Sequence, residues 1–192
     1  YRSTYIVEGE NRMMAVTQFE DTSARMAFPC FDEPNIKARF KVELIVPKNL
    51  DALSNTKIEK VVSNGSSKTV TFEETPIIST YILAFCVGEF ECIESLERKG
   101  MPRINVYTTS NKKELGRFAL GVAESIIVRC SEYFDHPYMG TKLDLIAIPD
   151  FAAGAMENLG LITFRESAIL IDEKNSSRSA KQNVAITVAH EI

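Results

Sequence analysis

The chain has 192 residues, 45% hydrophobic and 25% charged, enough apolar mass for a packed core in one domain or two small ones. Its net charge of −4 leaves no basic excess to meet phosphates, which argues against a general nucleic-acid or anionic-membrane surface. No apolar run approaches the roughly 20 residues of a membrane-spanning helix, and four cysteines without a C-x-x-C pair suit small buried hydrophobes in a reducing compartment, not a zinc ribbon or redox site.

Residues 1–7 and 12–19 read as short strands around the turn Glu8-Gly9-Glu10-Asn11. Phe40, Val42, Leu44 and Val46 alternate with Arg39, Lys41, Glu43 and the less polar Ile45, which predicts a half-buried strand stopping at Pro47. Asn64-Gly65 signals a type I′ turn, since both positions tolerate positive φ, between strands over 57–62 and 68–73. The run Thr80–Val87 is apolar on both faces and predicts a central strand. From about residue 100 the texture changes. After a short strand over Arg103–Thr108, Leu115, Phe118, Ala119, Val122, Ile126, Cys130 and Tyr133 recur at three- and four-residue steps and predict a helix, with Ser110 available as N-cap. Leu143–Ile148 and Leu161–Glu166 read as strands, and Ser176 or Ser177 can cap a last helix. The polar, turn-prone Glu97-Arg98-Lys99-Gly100 divides an all-β part, residues 1–98, from a mixed part, residues 99–192. Beginning mid-strand without a methionine and ending mid-helix, the sequence reads as an internal piece of a longer protein.

Several segments carry chemistry. The chain ends Ala189-His190-Glu191-Ile192; alone, a His-Glu dipeptide on a helix is most often part of an ordinary polar face. Some thirty residues earlier, a loop Gly154-Ala155-Met156-Glu157-Asn158 follows one strand and precedes another. Upstream stand Thr17-Gln18-Phe19-Glu20 and Phe28-Pro29-Cys30-Phe31-Asp32-Glu33-Pro34, and Thr163-Phe164-Arg165-Glu166 follows the loop. In this order the motifs resemble the aminopeptidase N-like family of gluzincin metallopeptidases, and in feel its intracellular puromycin-sensitive and proteasome-associated members.

The resemblance implies an α+β fold: a partial, saddle-like N-terminal β domain followed by the start of a thermolysin-like α/β catalytic domain, truncated inside an H-E-x-x-H helix. It implies one zinc ion, with His190 as first ligand and Glu191 as general base on the metal-bound water; the second histidine, a glutamate ligand and an oxyanion-stabilising tyrosine would lie beyond Ile192. It assigns Glu157 and Glu20 to the substrate α-ammonium, which acceptor-only carboxylates bind well. Gln18, two residues from Glu20 on the same strand face, would line the pocket for the first side chain. Gly154 and Ala155 would let an extended peptide approach, with Ala153, Met156 and Asn158 completing the substrate loop. The implied substrates are peptides with a free N-terminus, the implied location is cytoplasmic, and the isolated chain is expected to be inactive. The alternatives are a non-catalytic binding scaffold and an epoxide hydrolase of the same fold; the latter typically has Gly-Gly where this loop has Gly154-Ala155. Leu159 departs from the large aromatic many members carry there. His136 in Asp135-His136-Pro137, the pair Asp32-Glu33, and Arg165 with Glu166 read as structural.

Overall fold

Two β-hairpins organise the first half of the chain in a computed structural model that describes residues 1–192. Strands β1 (Arg2–Val7) and β2 (Glu10–Val16) pair antiparallel across Glu8-Gly9, both at positive φ (52° and 83°), as a type I′ turn requires. After β3 (Glu43–Pro47) and β4 (Asp51–Ser54), the second hairpin joins β5 (Ile58–Asn64) to β6 (Ser67–Phe72). Its turn centres on Gly65-Ser66, one residue later than the Asn-Gly signal predicts. Only Gly65 has positive φ, because Asn64 is still paired with Ser67. Strand β7 (Phe85–Gly88) completes a four-stranded sheet, ordered β1-β2-β7-β4, beside a three-stranded sheet ordered β3-β6-β5.

The predicted central strand over Thr80–Val87 starts late. Thr80–Ile82 form a 3-10 turn, and only from Phe85 does the backbone join the sheet. Side chains claim the earlier backbone: Asn55 accepts from the Ala84 N–H and donates to the Ile82 carbonyl, and Thr80 donates its hydroxyl to the buried Asp32. The Phe40–Val46 alternation is borne out in burial, although regular pairing begins at Glu43.

The second half is mixed. Strands β8 (Glu91–Glu94), β9 (Arg103–Thr108), β10 (Lys142–Ile148), β11 (Ala155–Met156) and β12 (Leu161–Arg165) form a sheet ordered β11-β12-β10-β9-β8. Helix α1 (Arg117–Tyr133) is the crossover that lets β10 lie parallel to β9. A four-residue helix, α2 (Glu166–Ile169), follows β12 directly, so Glu166 opens a helix and does not end a strand. The last element is α3 (Arg178–Glu191). Ser110 does not cap α1, because a 3-10 turn over Lys113–Gly116 intervenes; the buried line of α1 is Ala119, Leu120, Ala123 and Ile127, one position round from the predicted Phe118, Val122 and Ile126. Ser177 does cap α3, its hydroxyl accepting from the Ala180 N–H at 3.1 Å.

All seven residues of β10 are buried, as suits a central strand covered on both faces. Leu143, Leu145 and Ala147 point to the helices and join a core with Ile104, Val106, Ala123, Phe164, Val184 and Val188. Ile146 and Ile148 point the other way, into a second core shared with Tyr5, Met14, Leu53 and Cys86 of the first sheet. The N-terminal β part and the mixed part are thus packed through one strand, each buried aliphatic contributing roughly 1.5–3 kcal/mol.

Candidate active site

Beyond β2 the chain continues through Thr17–Glu20. Thr17 pins it to β7: its N–H donates to the Phe85 carbonyl at 3.2 Å, and its hydroxyl accepts from the Phe85 N–H at 3.0 Å. Phe19 is buried and meets Phe28 and Phe85 edge-on, with centroids 6.0 and 6.1 Å away, so the Phe28–Pro34 segment is anchored through Phe28 while Pro29, Phe31, Glu33 and Pro34 stay exposed. Within that segment Asp32 accepts from the Arg25 N–H at 3.0 Å and from Thr80, which supports its structural reading. With Thr17 and Phe19 turned inward, alternation leaves Gln18 half-buried and Glu20 exposed. The Gln18 amide donates to Met156 Sδ at 3.3 Å, so the two segments expected from the sequence to bind substrate touch.

The loop bearing Glu157 is held from three sides. Ala155 and Met156 form β11, the edge strand, paired with Phe164 and Thr163 of β12. The Arg165 N–H donates to the Gly154 carbonyl at 2.9 Å. The Arg165 guanidinium collects the carbonyls of Phe151 (3.0 Å), Ala153 (3.1 Å) and Ala152, a structural role for Arg165. Met156 and Asn158 are fully buried. The Asn158 amide donates to Thr163 Oγ1 at 3.4 Å, and its carbonyl accepts from the Leu161 N–H at 3.1 Å. Buried neighbours on both sides display the exposed Glu157 carboxylate, and Ala153, Gly154 and Ala155, just before it, are small and at least partly exposed.

Helix α3 buries Val184 and Val188, one turn apart, and carries His190 and Glu191 in its last turn. His190 is exposed and lines, with His136, an open cavity of about 640 Å³ between the C-terminal end of α1 and α3. Glu191 is half-buried, and its carboxyl is held above the usual carboxylate range. Burial is the largest cause, the negative charges of Glu157 and Glu20 add to it, and His190 opposes it. The Glu191 carboxyl thus feels the charges of Glu157, His190 and Glu20, which stand on other parts of the chain or beside it on the helix. Acceptor-only carboxylates attract a cationic ligand with several N–H donors. Nowhere do three His, Cys, Asp or Glu side chains gather into a metal-binding group.

Sequence comparison adds an independent finding. Residues 1–82 match the peptidase M1 N-terminal domain, and residues 118–192 match the peptidase family M1 domain. Over 192 residues the chain is 52% identical to aminopeptidase M1-A of Oryza sativa subsp. japonica and 51% identical to aminopeptidase M1 of Arabidopsis thaliana, covering 100% of this chain and 22% of each relative. It is 47% identical to the puromycin-sensitive aminopeptidase of Caenorhabditis elegans over 195 aligned residues, covering 100% of this chain and 20% of that protein. The chain spans about a fifth of the length of the curated relatives it matches.

Proposed function

The chain belongs to the M1 peptidase family, and from that premise we propose that the protein carrying it is a zinc-dependent aminopeptidase acting on peptides with a free N-terminus. The observation that carries this reading is the contact of Gln18 with Met156 Sδ at 3.3 Å, which brings the segment bearing Glu20 against the loop bearing Glu157. Glu157 and Glu20 take the substrate α-ammonium by charge-assisted hydrogen bonds. Gln18 borders the first side chain. The free edge of β11, flanked by Gly154, offers backbone groups to an extended peptide. Glu191, beside His190 in the last turn of α3, takes a proton from the attacking water.

His190 is the residue proposed to meet zinc. One imidazole does not satisfy the three protein ligands of a catalytic zinc, so the donor set of this chain does not by itself fit the ion. What these residues contribute is amine binding, peptide orientation and a carboxylate base. A cytoplasmic location belongs to the same proposal and rests on four unpaired thiols, which suit a reducing compartment. No helix is long and apolar enough to cross a membrane.

The test uses the full-length protein with leucine arylamide and its N-acetyl counterpart. Only the free-amine substrate should be cleaved, Glu157→Gln should raise KM about 10- to 100-fold, and Glu191→Gln should abolish turnover. Equal cleavage of both substrates would refute the amine-anchor reading. Leucinamide binding without any turnover would favour a non-catalytic scaffold. The isolated 192-residue chain is expected to be inactive; turnover by it that Glu191→Gln removes would show otherwise.

A further inference from the structure

Away from the carboxylates, a charged pair is buried where the two parts of the chain meet. Lys142 and Asp144 lie two apart on β10, on the face whose later members, Ile146 and Ile148, pack against the first sheet. Both are more than nine-tenths buried. The Lys142 ammonium has three protons and three acceptors: Asp144 Oδ2 at 2.6 Å, the Ser54 carbonyl of β4 at 2.7 Å and the Gly160 carbonyl at 2.6 Å. Asp144 Oδ1 accepts from the Asn105 amide at 2.7 Å.

Asn55, the next residue after Ser54, makes a second tie to the same turn. Its amide donates to the Leu159 carbonyl at 2.8 Å and to the Ile82 carbonyl at 2.9 Å, and its Oδ1 accepts from the Ala84 N–H at 2.8 Å. The Leu159 carbonyl is thereby fixed to the N-terminal part, and the Gly160 carbonyl, which also accepts from the Asp144 N–H at 3.1 Å, is linked to it through the Lys142 ammonium and the Ser54 carbonyl. Gly160 sits at φ +71°, and a Cβ there would stand 2.1 Å from the Asn55 carbonyl oxygen. The turn is seated directly on Asn55, with no slack. A buried ion pair rarely adds stability over an apolar pair of equal size; what a fully satisfied ammonium gives is a single permitted geometry.

We propose that Lys142 is a positioning residue for recognition of the substrate amine: with Asn55, it sets the height of the 159–160 turn, and so of Glu157, against the part of the chain that carries Glu20. The inference rests on the reading that these two carboxylates share one ammonium. They belong to different parts of the fold, so a shared ligand requires their spacing to be held within ~0.5 Å. The Gln18–Met156 contact lies between them but is a single weak bond to sulfur, whereas the Lys142–Asn55 clasp anchors the loop by its backbone.

The experiment measures inhibition by leucinamide and by N-acetyl-leucinamide in the full-length protein, and compares wild type with Lys142→Met, Lys142→Met/Asp144→Asn and Gly160→Ala. The double variant avoids stranding Asp144, and Gly160→Ala lifts the turn, and its carbonyl with it, while leaving both charged side chains in place. The expected result is a fall of about tenfold in preference for the free-amine ligand, in variants whose melting curves show them folded. An unchanged preference in any folded Lys142 variant would overturn the proposal. Aggregation of all three variants would overturn it too, since the clasp would then hold the fold and not the amine site. A wild-type protein without preference would instead defeat the amine-anchor reading itself, a separate failure visible before any variant is made.

Discussion

Replacing Asn55 with alanine tests the seam between the two parts of the fold at its most concentrated point. The side chain is 4% exposed and satisfies three backbone groups: the Ile82 and Leu159 carbonyls, at 2.9 and 2.8 Å, and the Ala84 N–H, at 2.8 Å. Each buried backbone group left unpaired costs about 1–3 kcal/mol, so three set an upper bound of about 9 kcal/mol. A water entering the vacated space can reach part of that set, since it needs only two to four polar partners and finds three here. A net loss of about 3–5 kcal/mol is therefore expected. Urea unfolding of the protein that carries this chain measures the total, and hydrogen exchange at the Ala84 amide reads the local effect, because that N–H loses its acceptor outright. Asn64→Ala is the control: its amide meets only the exposed Thr69 hydroxyl at 3.2 Å, and its removal should cost no more than ~0.5 kcal/mol. A loss below about 1 kcal/mol for Asn55→Ala, with exchange at Ala84 unchanged, would refute the reasoning.

Two further outcomes follow from local geometry. Burial by itself would raise the Asp32 carboxyl, but hydrogen bonds from Thr80 and Arg25 outweigh it and hold the group below its ordinary value. The folded value is depressed, so the stabilisation is complete above about pH 4 and is lost as pH falls through the folded value; the melting temperatures of wild type and Asp32→Asn, scanned from pH 7 downward, should converge below about pH 4, and a constant gap would contradict this. Ser177→Ala removes the hydroxyl that accepts from Ala180 and should cost about 1 kcal/mol by urea unfolding, whereas Ser176→Ala, one residue outside the cap, should be near neutral.

What could be read from the sequence was what is settled locally. Arg103–Thr108 appears as a strand with the expected bounds, and the odd–even burial of residues 39–46 follows from a period of two. Ser177 caps its helix because the cap bond spans only three residues. The late start of β7 was not legible, since side chains of Asp32 and Asn55, distant in the chain, take the backbone and hydroxyl groups that a strand reading leaves free. The same holds for Lys142, which opens an apolar strand and finds acceptors 88 and 18 residues away. The only available signal was the Lys-x-Asp spacing, which puts both charges on one face of β10. For the candidate site, family resemblance supplied Glu20 and Glu157. Spacing alone would have left Gln18 and Glu20 as polar residues on a strand face, because their link to the loop, Gln18 to Met156, bridges 138 residues.

Strand β10 turns alternate side chains into two different cores, and this has a mechanical consequence. The two parts of the chain have no flexible seam between them: swinging one against the other would strip Ile146 and Ile148 of their packing and pull Lys142 from Ser54. Glu20 and Glu157 therefore ride on a single stiff block, a fixed jaw for whatever binds between them. Any opening or closing that admits a ligand must come from a moving piece that approaches this block, not from a hinge within it.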